Sequence, residues 1–302
     1  MGVMSRAWTY LQERFPLPAH APLVFSFAGG VACASSALRG GDGPGWGPVV
    51  VASVVALGFF FQLRVADEWK DADADRRYQP ERPVPRGLVT LRELVLAGLA
   101  VAAVQVALTV WLDARLLAVL AAVWAFGALM TVEFGARAWL RARPVATLLS
   151  HALIVPCIDF FAVSCDVFGN GAAYPEGVGW LIGVSLFGGM AVEIGRKVWS
   201  PGDERPGVAT YSGLWGSARA VGVWSVVVAA SLVCGVMVLR DVGGLAVVQV
   251  GLGVAALGVV GAAGAAMRGG TSGRGRVVET VAGVWTLALY LSIGPLALWL
   301  SR

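Results

Sequence analysis

Apolar residues in this chain gather in long runs divided by short polar stretches. Nine runs stand out, at about residues 21–38, 46–66, 91–112, 114–132, 145–163, 177–195, 219–239, 243–267 and 277–300. Each is close to the roughly 20 apolar residues a helix needs to cross a bilayer, and several exceed the usual length of a globular helix. A soluble core would not need nine such runs. The pattern predicts an all-α, polytopic membrane protein with nine transmembrane helices, forming one domain over residues 1–302. Residues 1–20 lack the compact apolar stretch of a secretory signal. Their sequence SRAWTYLQERFPL predicts a short interfacial helix anchored by Trp8, Tyr10, Leu11 and Phe15.

Composition agrees with this reading. Hydrophobic residues make up 57% of the 302 positions and charged residues 14%, against about 25% charged in ordinary soluble domains. Mean hydropathy is +0.73. The net charge of +4 matters less than its placement. With nine spans and a cytoplasmic N-terminus, only Arg39, Arg115, Arg240 and Arg302 of the 23 Lys and Arg residues fall outside. The positive-inside rule expects that asymmetry, which also argues against nucleic acid as a partner. The expected location is the cell membrane, multi-pass, in contact with lipid and with no obligate protein partner evident. The four cysteines show no CxxC spacing and read as small core residues.

The polar connections are unequal. Residues 67–90, 133–144 and 196–218 are charged and, on this topology, share the cytoplasmic face, so the working surface is expected there. From Arg64 to Gly87, across the start of the first stretch, the chain reads RVADEWKDADADRRYQPERPVPRG. Asp67, Asp71 and Asp75 are spaced i, i+4, i+8 and form one stripe on a helix, with Glu68 alongside. Carboxylates stacked this way repel. A hard divalent cation such as Mg²⁺ offsets that repulsion, and it commonly binds one or two carboxylates together with substrate phosphates. Lys70, Arg76 and Arg82 follow, and guanidinium groups suit phosphate oxygens. A solvated charged loop is the bland alternative.

The stretch DEWKDADADRRYQPERPVPRG resembles the first aspartate-rich motif of the UbiA superfamily of intramembrane prenyltransferases, which usually reads Asn-Asp-x-x-Asp-x-x-x-Asp-Arg and then Arg-Pro and a Gly. Asp71, Asp75, Arg76, Arg82, Pro83 and Gly87 match, while Asp67 stands in the Asn place and Glu68 in the next Asp place. GDERPGVATYSGLWG resembles the tail of the second motif through Gly202, Asp203, Gly207, Thr210 and Gly216. That motif normally offers aspartates four apart near the helix end. Here Glu193 precedes Arg196 and Lys197, and Asp203 follows, which is similar to a divergent branch that includes terpene cyclases.

The resemblance implies Mg²⁺ held by Asp67, Glu68, Asp71, Asp75, Glu193 and Asp203. It implies diphosphate contacts from Lys70, Arg76, Arg82, Arg137, Arg141, Arg196 and Lys197. Glu193 and Lys197 also suit a plain ion pair. The implied activity is ionisation of an isoprenyl diphosphate in an intramembrane apolar pocket, as a terpene cyclase or as a prenyltransferase acting on a lipophilic acceptor. A metal-ion permease is the third reading.

Aromatic faces stabilise a cation. Trp124, Phe126, Phe134, Trp180, Tyr211, Trp215 and Trp224 are candidate walls, each equally suited to packing. Asp159 and His151 are intramembrane ionisable residues and so functional candidates. Asp159 suits either a pocket role, orienting substrate or accepting a proton, or a satisfied buried position; His151 reads as structural. Glu133 is placed to orient Arg137 and Arg141 or to cap charge. The acids ending runs 2 and 6 suggest two similar halves facing each other.

Overall fold

A computed structural model describes residues 2–205, 208–268, 273 and 275–302; Gly207 and Arg274 lie outside the described residues. All regular elements among the described residues are helical. In chain order they are α1 (Val3–Arg14), α2 (Leu17–Leu38), α3 (Trp46–Lys70), α4 (Ala72–Tyr78), α5 (Leu91–Leu112), α6 (Leu116–Thr131), α7 (Arg137–Arg141), α8 (Pro144–Ala152), α9 (Ile154–Gly169), α10 (Val178–Gly195), α11 (Tyr211–Trp215), α12 (Ser217–Gly243), α13 (Ala246–Arg268), α14 (Gly275–Leu291) and α15 (Ala297–Leu300). With α8–α9 and α14–α15 each taken as one span, eight helices are long and apolar enough to cross a membrane. The ninth apolar run is α6, at 16 residues.

Local chemistry sets the boundaries. Thr90 and Glu93 form a reciprocal capping box that starts α5. Gly244, left-handed at φ 84°, ends α12 by donating its N–H to the Leu239 and Arg240 carbonyls. Between α14 and α15 the helix widens into a π turn at Ser292–Leu296, which contains Pro295. A side chain at Gly294 would collide with the backbone of Gly30, so the last span and α2 touch backbone to backbone, as small residues permit in lipid.

The helices pack as a ring. α2 lies on α3, α3 on α5, α5 on α6, α6 on α9, α9 on α10, α10 on α12, α12 on α13 and α13 on α14, which returns to α2. α9 also packs across the ring against α2 and α3 and is mostly buried. Leu96 and Leu99 on α5, with Val250, Val254 and Leu257 on α13, point outward, where lipid would cover them. Backbone polar groups are satisfied within the helices, as a bilayer demands.

Ionic and polar ties sit at particular levels. At the end of α9, Asp166 is fully buried and accepts from Arg39 at 2.6 Å and Ser35 at 2.7 Å. Asp159 is also fully buried. One of its oxygens accepts from Ser185 of α10 and from Tyr290 of α14, the latter at 3.2 Å. That knot joins three helices.

Candidate active site

The acid-rich rim lies where α3 ends and α4 begins. The backbone bonds Asp71 N–H to Asp67 O, Asp75 N–H to Asp71 O and Gln79 N–H to Asp75 O continue the i→i−4 ladder across the break at Asp71, at 2.8–2.9 Å. The ladder runs on through the break, consistent with the i, i+4, i+8 spacing of the stripe. Going the other way along α3, the i−4 and i−8 positions from Asp67 are Leu63 and Phe59. Both line a cavity of about 170 Å³ beneath the rim, with Gln62 and Ala66 of α3, Val123, Trp124, Gly127, Ala128 and Thr131 of α6, and Ile154 of α9. One helix face therefore carries carboxylates at its end and an apolar wall below.

The acids are not equivalent. Asp71 has no hydrogen-bond or ion-pair partner for its carboxyl among the described residues. Burial pushes its pKa up from the usual aspartate value; Lys70 opposes this, Asp67 and Asp75 add to it, and Arg82 opposes it, with a net rise. Asp67 has one long contact, 3.7 Å to Arg64. Asp75 is buried, and both its oxygens accept from Arg82 Nη1 at 2.7 Å.

Glu68 departs from the expected ligand set. It is buried and accepts from Arg14 Nε at 2.5 Å. Its helix position, about 100° round from Asp67, turns it toward α1, where the pair is shielded by a small cluster of Tyr10, Val65, Val89 and Leu94. Glu13–Arg86 at 2.7 Å and Arg6–Glu93 at 3.0 Å complete the attachment of α1.

The cations divide similarly. Lys70 is held by Glu133 at 2.9 Å, and Arg137 donates to the Lys70 carbonyl at 3.3 Å. Glu133 therefore engages Lys70, with His151 Nε2 3.4 Å from its other oxygen, rather than Arg137 or Arg141. Glu133 and Phe134 adopt left-handed backbone at φ 54° and 52°, a conformation costing non-glycine residues roughly 1–3 kcal/mol each. The two contacts to Glu133 help hold it. Arg141 is exposed without a partner among the described residues, and Arg76 is exposed against Asp73.

Across the rim, Glu193 accepts from Arg196 at 2.6 Å and Lys197 at 2.7 Å. Burial alone would lower the pKa of Arg196, but Glu193 outweighs it and the net direction is up; Asp67 contributes in the same sense. The ends of α3 and α10 are linked by this Asp67–Arg196 attraction, with no hydrogen bond or ion pair between them among the described residues. Asp203 turns elsewhere, accepting from Gly273 N–H at 2.7 Å in the α13–α14 connection, because the chain leaves α10 in an extended stretch before reaching a 3₁₀ turn at Pro201–Asp203. Glu204, which the sequence does not single out, organises this loop by accepting from Thr210 and Ser212 at 2.6 Å, while Ser212 accepts from Trp199 N–H.

Of the candidate pocket residues, Trp124 lines the cavity. Phe126 packs edge-on against Phe134 and is outside the lining. Tyr211 lies at the rim, stacked on Trp215 with Lys197 5.9 Å from its ring centre, and burial and Glu193 push its hydroxyl pKa up. Trp224 is buried and donates to the Ala191 carbonyl, a packing role. Asp159 faces α10 and α14 and is outside the cavity lining.

Hard carboxylate oxygens, two of them incompletely neutralised, suit Mg²⁺. No group of three His, Cys, Asp or Glu side chains converges on a metal position among the described residues. The fit is to a cation completed by ligands from a second molecule rather than to an all-protein cage.

A ring of apolar spans carrying an acidic and basic rim above an apolar cavity defines a multi-pass membrane protein with a site at one membrane face. Residues 23–271 match the UbiA prenyltransferase family, and the chain belongs to that family. A UbiA homologue from Aeropyrum pernix K1, in its apo form, is similar at TM-score 0.69 and 16% identity, over 91% of this chain and 96% of that one. A UbiA homologue from Archaeoglobus fulgidus bound to DMAPP and Mg²⁺ is similar at TM-score 0.61 and 13% identity, over 94% and 98%. A structure described for digeranylgeranylglyceryl phosphate synthase gives TM-score 0.63 and 14% identity, over 98% and 99%. No curated protein matches the sequence.

Proposed function

We propose that this chain is a Mg²⁺-dependent enzyme that ionises an isoprenyl diphosphate and encloses the resulting carbocation between its helices, as a terpene cyclase. The observation that carries the reading is the continuity of one α3 face, from Asp71 and Asp67 at the rim to Leu63 and Phe59 in the cavity wall. A molecule with a charged head and a greasy tail matches that face. The UbiA homologue from Archaeoglobus fulgidus bound to DMAPP and Mg²⁺, and a UbiA homologue from that organism bound to GPP and Mg²⁺, support the substrate class.

Asp67 and Asp71 hold the cation in this reading, with Glu193 facing them from α10. The metal, when bound, withdraws charge from the departing diphosphate. Lys70, Arg196 and Lys197 are already ordered at the rim by Glu133 and Glu193 and would donate to diphosphate oxygens. Arg82 orients Asp75, Arg14 withdraws Glu68 from the ligand set, and Asp203 fixes a rim loop. Arg76, Arg137 and Arg141 add positive charge around the entrance. Below, the low-water wall protects the cation from premature quenching. The N-terminus and the rim loops are cytoplasmic, by the positive-inside rule.

The test uses the full chain in membranes with Mg²⁺ and dimethylallyl, geranyl, farnesyl or geranylgeranyl diphosphate and no acceptor. Diphosphate release with a terpene product supports the cyclase. Turnover only after adding a lipophilic aromatic acceptor replaces it with prenyl transfer. Metal flux into proteoliposomes without diphosphate release from any substrate overturns both.

A further inference from the structure

We infer that Gln62 forms a binding site for an O–H nucleophile inside the cavity, so that the carbocation is captured by oxygen. This deepens the proposed function and rests on it. Gln62 lines the cavity five residues before Asp67, about 7.5 Å along the helix axis. Its carboxamide is locked from two sides. Nε2 donates to the Gly98 carbonyl of α5 at 3.3 Å, and Oε1 accepts from Trp124 Nε1 at 3.3 Å. The same indole N–H also reaches Gln105 Oε1 at 3.3 Å, and Gln105 is in turn anchored to the Val55 carbonyl at 3.0 Å.

These bonds leave one N–H and one oxygen lone pair of Gln62 uncommitted, since a carboxamide has two donors and two acceptor sites. Thr131, also in the lining, spends its hydroxyl proton on the Gly127 carbonyl at 2.8 Å and keeps acceptor capacity. Nearly all the remaining lining is apolar. An amide that can both donate and accept, with Thr131 in the same lining able to accept, matches a group that itself does both, which is a hydroxyl. Gln62 is half-buried, and a hydrocarbon guest covering it would leave that amide capacity unmatched. The cavity of about 170 Å³ is comparable to an engineered apolar cavity of ~150 Å³ that takes benzene, so it has room for a short isoprenoid segment and a small hydroxyl group.

The chemistry balances. The allylic C–O bond breaks with its electron pair leaving on the diphosphate. A lone pair of the bound oxygen forms the new C–O bond, and the proton from that oxygen passes to a diphosphate oxygen. The product is a terpene alcohol when the guest is water, as the cyclase reading requires; an ether from a lipophilic alcohol would make the same oxygen capture a prenyl transfer.

The experiment compares the wild-type full chain with Gln62→Leu and Gln62→Met in membranes. It follows diphosphate release and the ratio of oxygenated to hydrocarbon product, in H₂¹⁸O and with or without a long-chain alcohol. The expected result is an oxygenated wild-type product carrying ¹⁸O (water as guest) or the added alcohol's oxygen. In the variants the oxygenated fraction falls about tenfold while diphosphate release changes less than threefold. Gln105→Leu, which leaves Gln62 in place, keeps the wild-type ratio and controls for disturbance of Trp124. A wild-type product that is hydrocarbon alone, an unchanged ratio in a folded Gln62 variant, or a parallel fall in release and oxygenation overturns the inference. If both Gln62 variants fail to fold, a wild-type product without ¹⁸O or alcohol-derived oxygen overturns it. Absence of diphosphate release from the wild type overturns the proposed function as well, so the two failures are separable.

Discussion

Asp71 carries the sharpest consequence at the scale of a single residue. Its proton is held more tightly in the folded chain than an ordinary aspartate proton, chiefly through burial. Between the ordinary value, about 3.9, and its own, the folded state binds more protons than the unfolded one, so stability falls as pH rises through that window. Under the proposed function, a cation held by Asp67 and Asp71 would remove that penalty. Asp71→Asn is therefore expected to raise the melting temperature by about 1–3 °C in EDTA near neutral pH, to abolish stabilisation by Mg²⁺, and to lower diphosphate release by at least about 100-fold, the upper end of losses seen even for outer-sphere metal partners. Thermal scans with and without Mg²⁺ check this; a variant still stabilised by the metal would refute it. Glu68 behaves oppositely. Glu68→Gln leaves Arg14 facing a neutral group at a nearly sealed position, and losing one partner of a buried pair costs about 3 kcal/mol. It should lower the melting temperature and expose α1 to protease, with little change in the Mg²⁺ concentration for half-maximal activity. The sequence places both acids in one motif. Which of them is consumed by an arginine was invisible there, because Arg14 lies 54 positions away and pairing over that distance depends on how α1 docks.

At the scale of elements, the apolar runs foretell the helices and their order, since a span's length and hydropathy are local properties. The ends are less legible. The run predicted at 145–163 becomes two helices meeting at Leu153 and continuing to Gly169, so Asp166 belongs to a buried helix end rather than to an outer loop. The three-helix knot at Asp159 was equally hidden, because Ser185 and Tyr290 are remote in sequence. Its expected behaviour is structural. Asp159→Asn retains hydrogen-bonding capacity and should release diphosphate within about threefold of wild type. Asp159→Leu strands the buried Tyr290 hydroxyl, at about 1–3 kcal/mol, while Ser185 keeps the Leu181 carbonyl, and should shorten the thermal half-life in detergent. A selective loss of diphosphate release by a well-folded Asp159→Asn would instead put this residue at the site.

For the whole molecule, the distribution of Lys and Arg predicts that single cysteines introduced at Arg141 and at Asp113 lie on opposite membrane faces. A membrane-impermeant thiol reagent applied to intact cells should label the Asp113 position, half-buried just past the end of α5, and label the Arg141 position only after permeabilisation. The reverse pattern would invert the topology and place the rim outside.

The sequence by itself determined that the chain is a bundle of membrane helices, which of their connections carry the charge, and which family motif that charge resembles. These follow from patterns within about 25 residues, where hydropathy and helical spacing act locally. Only the tertiary structure decided which acids remain open and which are already paired, which aromatic lines the cavity, and that Gln62 stands in its wall. Those outcomes depend on contacts between helices far apart in the chain, and in a low-dielectric interior each such contact can cancel or preserve a charge.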